Sequence, residues 1–532
     1  MADPPGGQGL GAVRHVQKLA RQSMVLLSTG AFSYVGSFAL QLILARALGV
    51  EGFGAWIVAF SFVETLAIVG LLGGDWIILR HGSYYHGVGD VPRLRATIRF
   101  ALLVGGTTLV VLATALALLA SMVAVRVFHA EPVIPLLRLA AATGAVTGLR
   151  QILVYGTQAF KSVRDAALIR GILQPLARLL LIGLALLLFR STSSALVGLL
   201  AAEIILLVAA GALLHRRVPL IGHTEPIDRA ALMKFGLSVM GTRLTEAIRG
   251  QLFPVLLASL VALSASGLYA AARRITAAPG LIVNAMNQVY NPIASDLFLQ
   301  GKREEFEFLT KSMAKWTFSL ILPLFGLAVV FPREILSVFG PSFRDAGSAL
   351  IIMAVGMLFL FGTGPVTGIL ILSGRPRLSL IDYLSAMSIE VVLALLLIPR
   401  YGLIGAAIAS TSGRLVNNAL PLFQVWVTLR FHPYRPDYWK PIVAALAAVV
   451  TAKLIVTSVG LGSGIVAAVA ATVLVCAGYA GLMLLLGFSL EDRAVFDHFV
   501  RRVKKGVGPG GARGADPSVL DYPNASADRE TP

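Results

Sequence analysis

Apolar runs close to the twenty or so residues that cross a bilayer as helix follow one another along the chain, from residue 23 to residue 488. They predict about fourteen transmembrane helices, over 23–45, 54–79, 98–125, 133–159, 168–189, 194–214, 235–262, 266–293, 314–331, 346–373, 377–398, 403–430, 441–459 and 464–488. The fold class that follows is an all-α integral membrane protein.

Basic residues sort these helices into a topology. The N-terminal tail (Arg14, Lys18, Arg21) and every second loop are rich in Arg and Lys, from Arg80, Arg93 and Arg95 in the second loop to Arg435 and Lys440 in the twelfth. The C-terminal tail adds Arg501, Arg502, Lys504 and Lys505, while the intervening loops are short and hold single arginines such as Arg126 and Arg400. Short loops rich in Lys and Arg stay on the cytoplasmic side, so this alternation places both termini in the cytoplasm of a multi-pass plasma-membrane protein.

An internal repeat divides the chain. Leu44-Ala45 and Gly54-Ala55-Trp56 align without gaps on Leu257-Ala258 and Gly267-Leu268-Tyr269, an offset of 213 residues. Both halves start on the same side of the membrane, so they are parallel repeats related by a pseudo-twofold axis along the membrane normal. The expected organisation is a tail over 1–22, a six-helix lobe over 23–214, a cytoplasmic linker over 215–234 and a second six-helix lobe over 235–430. Two extra helices over 441–488 and a partly disordered tail over 489–532 complete it. Prolines inside the spans (Pro175, Pro254, Pro279, Pro323, Pro365, Pro421) suit lobes that rock against each other.

Composition narrows the function. With 57% hydrophobic and 14% charged residues, the formal charge of +18 reads as membrane topology divided among loops, not as a nucleic-acid surface. The single cysteine, Cys476, can form no internal disulfide and reads as packing. No phosphate-cradling glycine loop or zinc pattern marks a soluble segment, which argues against direct use of ATP, and the short outer loops argue against an enzyme; no cofactor is expected.

The residues that remain are intramembrane charges. Arg150, Arg178, Arg249, Arg274 and Arg414 fall near the middle of their spans, where an arginine costs roughly 2.5–3.5 kcal/mol on insertion scales and needs a partner, a wet cavity or an anionic cargo. A diphosphate is such a cargo, because guanidinium groups match it bidentately. Arg243, Glu246 and Arg249 recur at spacings of three, so Glu246 is placed to pair with both neighbours along one helix face. Arg273 and Arg274 diverge by about 100°, so at most one is expected to point straight into a cavity. Among the deep acids, Glu390 with Ser410 and Thr411 on the next helix, Glu246 and Glu64 are candidates for an ion or proton site. Asn284, Asn287, Gln288 and Asn291 form a polar stripe that suits sugar hydroxyls or interhelical hydrogen bonds.

Pro399-Arg400-Tyr401-Gly402-Leu403-Ile404-Gly405-Ala406-Ala407-Ile408-Ala409-Ser410 resembles the eleventh-to-twelfth helix junction of Wzx-like polysaccharide flippases. Leu44-Ala45-Arg46-Ala47-Leu48-Gly49-Val50-Glu51-Gly52-Phe53-Gly54 is similar to that family's first-to-second helix turn. These flippases belong to the multidrug/oligosaccharidyl-lipid/polysaccharide exporter superfamily. The resemblance implies alternating-access transport of an undecaprenyl-diphosphate-linked oligosaccharide between leaflets, probable coupling to a Na+ or H+ gradient, and work beside a polysaccharide polymerase and glycosyltransferases. Ala272-Arg273-Arg274-Ile275-Thr276 is similar to the start of the eighth helix of the lipid II flippase, where a required arginine falls on Arg274. The departures are Glu64-Thr65 in place of that flippase's second-helix arginine signature, and Glu390 with Ala394 in place of its Asn-x-x-x-Asp sodium pair. Lipid II is therefore not the expected cargo. Other readings are a multidrug antiporter of the same fold, which would favour an acidic cavity, and a non-transporting scaffold that binds lipid-linked sugars.

Overall fold

The computed structural model describes residues 7–160, 163–434, 438–462 and 464–486, apart from the side chains of residues 7–28, 163, 164, 242, 246, 289 and 376. Its regular elements are helices, described in chain order. The first half holds α1 (Gly7–Gly70), α2 (Gly74–Ile77), α3 (Ser83–Gly87), α4 (Val91–Arg126), α5 (Val133–Gln158), α6 (Val163–Ala167), α7 (Gln174–Phe189) and α8 (Thr192–Arg217). The second half holds α9 (Arg229–Leu260), α10 (Leu263–Ala277), α11 (Gly280–Leu299), α12 (Arg303–Val330), α13 (Pro332–Leu336), α14 (Gly347–Gly362), α15 (Val366–Leu372) and α16 (Pro376–Leu429). Helices α17 (Trp439–Ser458) and α18 (Ile465–Leu485) follow and pack together against α12. Helix α1 begins at Gly7, so residues 7–22, expected as tail, continue the first helix. The C-terminal tail lies outside the described residues.

Ten described helices are long and apolar enough to cross a membrane. Two of these, Thr29–Gly70 and Arg377–Leu429, are each folded in two at a glycine. Gly49 (φ 68°) and Gly402 (φ 53°) break the helical backbone in the positive-φ region that glycine adopts without strain. Residues 23 apart then meet: Gly413 lies against the Glu390 side chain, whereas a straight helix would hold them about 34 Å apart. Both breaks fall inside loops that the hydropathy pattern predicts. Helices α9, α10 and α11 are absent from the ten: α10 has only 15 residues, and α9 and α11 carry arginines and asparagines.

The prolines fall into two groups. Pro254, Pro323 and Pro421 lie inside helices. Pro175 follows a π-helical turn (Leu168–Leu173) inside the continuous helix Asp165–Phe189, while Pro279 and Pro365 cap α11 and α15, positions that need no backbone donor.

How the halves meet follows from the repeat. Gly54 of α1 and Gly267 of α10 are repeat mates, and they touch: a Cβ on Gly54 would sit 3.1 Å from the Gly267 nitrogen and overlap the Leu263 carbonyl. A Cβ on Gly267 would sit 3.0 Å from the Gly54 nitrogen and overlap the Val50 carbonyl. A residue that meets its own repeat mate lies on the twofold axis. Around this contact one continuous apolar core takes in Leu44, Phe53 and Trp56 from the first half with Leu257, Tyr269 and Phe343 from the second. Arg46 donates to the Val338 carbonyl across the same boundary at 2.9 Å.

At the opposite, linker end the cores are separate. One gathers Leu71, Ile78, Ile98 and Leu214 of the first half, and another gathers Tyr290, Phe306, Val425 and Phe431 of the second. The halves still touch there, where Gly73 packs on Gly236 and Arg243 binds Asp75 at 2.8 Å. Helix α11, however, scarcely meets α1. The two halves therefore share a core at one end and form a wedge at the other.

The axial contact makes a stability prediction. Gly54→Val drives carbon atoms into a backbone carbonyl and should cost at least the roughly 1–3 kcal/mol of ordinary overpacking. Gly106→Val, where an added Cβ meets nothing within 4 Å, serves as the control. Thermal unfolding of the purified variants should show a lower melting temperature for the first alone; equal melting would remove the contact from the interface.

Candidate functional site

Sequence places arginines in the apolar spans, and folding decides which of them find carboxylates. In the first half, Glu203 of α8 is fully buried between two of them. Arg150 of α5 donates to it through Nε at 2.6 Å, and Arg178 of α7 donates through Nε and Nη2 at 2.9 and 2.8 Å. Arg150 is only 2% exposed and faces neither cavity described below. Glu64 of α1 stands in the field of the same cluster but makes no ion pair within 4.0 Å among the described residues.

In the second half, Arg249 of α9 grips Glu390 of α16 bidentately, with both bonds at 2.9 Å, and its guanidinium lies 4.8 Å from the centre of the Tyr383 ring. Arg249 and Arg243 both reach carboxylates on other helices, because packing brings Glu390 and Asp75 within range. The Glu246 side chain itself lies outside the described residues.

Two small cavities collect the remaining charge. The first, about 210 Å³, is lined by Ser33, Ser37, Gln41, Trp56, Gln174 and Arg178 of the first half and by Arg274 of the second. Turned to its satisfying orientation, the Gln174 amide oxygen accepts from Arg178 at 3.2 Å. Arg274 has no carboxylate within salt-bridge distance among the described residues. It donates to the Tyr34 carbonyl at 3.3 Å and stacks over the Tyr34 and Phe38 rings at 4.5 and 5.7 Å, and its buried Nε has no acceptor.

The second cavity, about 360 Å³, is lined by Arg249, Arg273, Arg414, Glu390, Ser410, Tyr269, Tyr383 and Asn417. Arg273 donates to the Gly250 carbonyl at 2.6 Å. Arg414 has no ion pair among the described residues, and its buried Nη1 is without an acceptor. Ser410 and Thr411 spend their protons on the Ala407 and Ile352 carbonyls, at 3.2 and 3.1 Å, which leaves their oxygens only lone pairs to offer.

Helix α10 stands between the two cavities. Successive side chains diverge by about 100°, so Arg274 turns to the first cavity and Arg273 to the second. The expectation that at most one of them faces a cavity is corrected here: one helix serves a cavity on each side. Sequence reasoning counted Arg273 out, and it did not identify Tyr34, Tyr383 or Gln174; the ring residues carry no signal apart from the arginines they cover. Of the polar stripe on α11, Asn284, Gln288 and Asn291 are exposed and Asn287 is half-buried with its Oδ1 unsatisfied.

The repeat carries the charge pattern with its signs exchanged. Arg178 and Glu390 are 212 residues apart, and Glu203 and Arg414 are 211 apart, close to the 213-residue offset of the halves. The first half thus matches its acid with two bases. The second matches its acid with Arg249 and keeps Arg414 in surplus.

The model of the polysaccharide biosynthesis protein family matches residues 19–298, more than half of the chain. The chain belongs to that family. Its fold is shared with the lipid II flippase MurJ in an inward closed conformation, at TM-score 0.68 and 13% identity over 86% of this chain and 98% of that one. An inward-facing multidrug resistance transporter of the MOP superfamily is similar at TM-score 0.60 and 16% identity, over 77% of this chain and 98% of that one. A capsular polysaccharide biosynthesis protein of Staphylococcus aureus is 28% identical over 138 residues, 26% of this chain and 35% of the relative. The chain spans about a third of the length of the curated relatives it matches. The family ties the protein to polysaccharide biosynthesis, and its fold is the one shared by these membrane proteins.

Matched and unmatched arginines should respond differently to removal. Glu203→Gln strands two buried guanidinium groups and should cost about 3–5 kcal/mol, the range for breaking a buried pair. Arg274→Gln deletes a charge that holds no carboxylate and should leave unfolding in detergent unchanged or slightly delayed. The reverse order of stabilities would show that these roles have been exchanged.

Proposed function

We propose that the protein moves a lipid-linked oligosaccharide diphosphate across the plasma membrane by alternating access, and that the arginines without carboxylates hold the diphosphate. The observation that carries this reading is the surplus: Arg273, Arg274 and Arg414 face two neighbouring cavities with no carboxylate of their own among the described residues, beside Arg178 and Arg249, which have one. Buried donors with nothing to donate to, the Arg274 Nε and the Arg414 Nη1, call for an anion. Both cavities are too small for an oligosaccharide, so the sugar belongs in the wedge between the halves. The exposed Asn284, Gln288 and Asn291 then face it from α11.

Charge alternation among the loops supports a cytoplasmic linker end, so the wedge opens inward and the undecaprenyl-type tail stays in the bilayer through the gap between α1 and α11. Arg150 and Glu203 serve as scaffold. For coupling to Na+ or H+, Glu390 is committed to Arg249, whereas Glu64 has no ion pair among the described residues and is the better candidate. A cationic cavity also disfavours the multidrug reading, since a cationic drug would be repelled.

In cells lacking the protein, surface polysaccharide should fall and its lipid-linked unit should accumulate in the inner leaflet. An ordinary leaflet distribution of that unit would refute the reading. Arg274→Ala should insert at the normal level yet lose at least tenfold in complementation, one charge-assisted contact's worth; full complementation would free Arg274 from the diphosphate.

A further inference from the structure

We infer that a groove at the linker end, away from both arginine cavities, binds one anionic phospholipid of the surrounding membrane and ties the two halves together. The groove has a volume of about 930 Å³ and shares no lining residue with the other two cavities. Its floor is apolar, built by Phe100 and Leu103 of α4 and by Pro226 and Ile227 of the linker. Its charged lining residues are Arg99, Glu225 and Arg229.

The groove is a built site, because arginines hold its linker wall in place. Arg95 donates to the carbonyls of Pro219 (2.7 Å) and His223, and Arg99 Nε donates to the Leu220 carbonyl at 2.6 Å. The nearby acids are committed. Glu225 pairs with Arg93 at 3.2 Å, and Asp228 caps α9 by accepting from the Ala231 amide at 2.9 Å. What remains is the outer nitrogens of half-buried Arg99 and the exposed Arg229, neither of which has an ion pair among the described residues. The balance is two positive charges over an apolar floor, which calls for a phosphate joined to an acyl chain.

The position selects a membrane lipid over a soluble phosphate. The groove adjoins Leu103, which is 69% exposed, and the same face of α4 continues outward through Val110, Val111 and Leu118, all exposed apolar side chains that only lipid can cover. One acyl chain can lie along that stripe while its phosphate reaches the two arginines. Arg99 belongs to the first half and Arg229 opens the first helix of the second, so the bound lipid spans the boundary behind the linker.

The test uses the full-length protein in mild detergent. Its melting temperature is measured on adding phosphatidylglycerol, phosphatidylcholine with the same chains, or glycerol 3-phosphate, and native mass spectrometry counts bound lipid. Phosphatidylglycerol alone should raise the melting temperature by several degrees and appear as a single retained adduct. Arg229→Gln should weaken its apparent affinity about tenfold, as loss of one charge-assisted contact does, while Arg216→Gln, a basic residue outside the groove, should leave it unchanged. Arg99→Gln should act like Arg229→Gln, and Arg229→Gln carries the test if Arg99→Gln fails to fold, since Arg99 also holds the linker. Equal shifts from both phospholipids, an equal shift from glycerol 3-phosphate, or a phosphatidylglycerol shift untouched by Arg229→Gln would each overturn the proposal.

Discussion

A guanidinium group cannot shed its charge inside a bilayer, so every arginine that this chain carries into its apolar interior must be matched. Much of the internal arrangement follows from how that demand is met. Glu203 sits fully buried because two arginines converge on it from α5 and α7, which fixes three helices of the first half against one another. Glu390 does the same for α9 and α16. It reaches its place only because Gly413 offers no side chain there: a Cβ at that position would collide with the Glu390 stem. A buried pair of this kind contributes little net stability, since desolvation offsets most of the attraction. Its value is positional, because a displaced partner leaves an uncompensated charge.

The second constraint is the axis. At Gly54 and Gly267 the two halves meet backbone to backbone, and the apolar core is continuous around that point. At the linker end the cores part, and contacts between the halves there include the Gly73–Gly236 approach, the Arg243–Asp75 salt bridge and the Arg80 guanidinium over the Phe235 ring. On the proposed alternating-access reading, a core shared at one end and divided at the other corresponds to a state closed at the shared end. Reversing it requires the Gly54–Gly267 contact to separate while the linker-end contacts extend. The two glycines add no side chains of their own to be withdrawn, so the cost of separation lies in the surrounding core, where Phe53 packs edge-to-face on Phe343 at 5.8 Å.

How much of this was legible in the sequence depends on the range of the interaction. The helices were legible because hydropathy is a property of each segment, and the breaks at Gly49 and Gly402 fell where the apolar runs were interrupted. The repeat was legible because Gly54 and Gly267 share their neighbours in sequence, although nothing there said that they touch. The ion pairs were not. Local spacing offered Glu246 to Arg249, whereas the fold gave it Glu390, 141 residues away. Partner choice between helices depends on rotation about each axis, which a single sequence leaves open. For the same reason Arg273 could be judged divergent from Arg274, but not assigned a second cavity on the far side of α10.

The way Arg274 is held bears on how a cargo could be taken and released. It sits in the last turn of α10, where the helix dipole favours a cation by about 0.3–1 kcal/mol. Two aromatic faces contribute about 0.5–2 kcal/mol, and a carbonyl at 3.3 Å adds a weak hydrogen bond. These interactions make the charge tolerable without saturating it, and none of them presents a full negative charge that a phosphate would have to displace. Had Arg274 been locked on a carboxylate as Arg249 is, an incoming diphosphate would have to strand that acid. Because its partners are rings and a carbonyl, exchange for a phosphate strands nothing ionic, and the return exchange on release is equally cheap. A transporter needs reversible capture more than tight binding, and an arginine half-satisfied by neutral groups is the arrangement that supplies it.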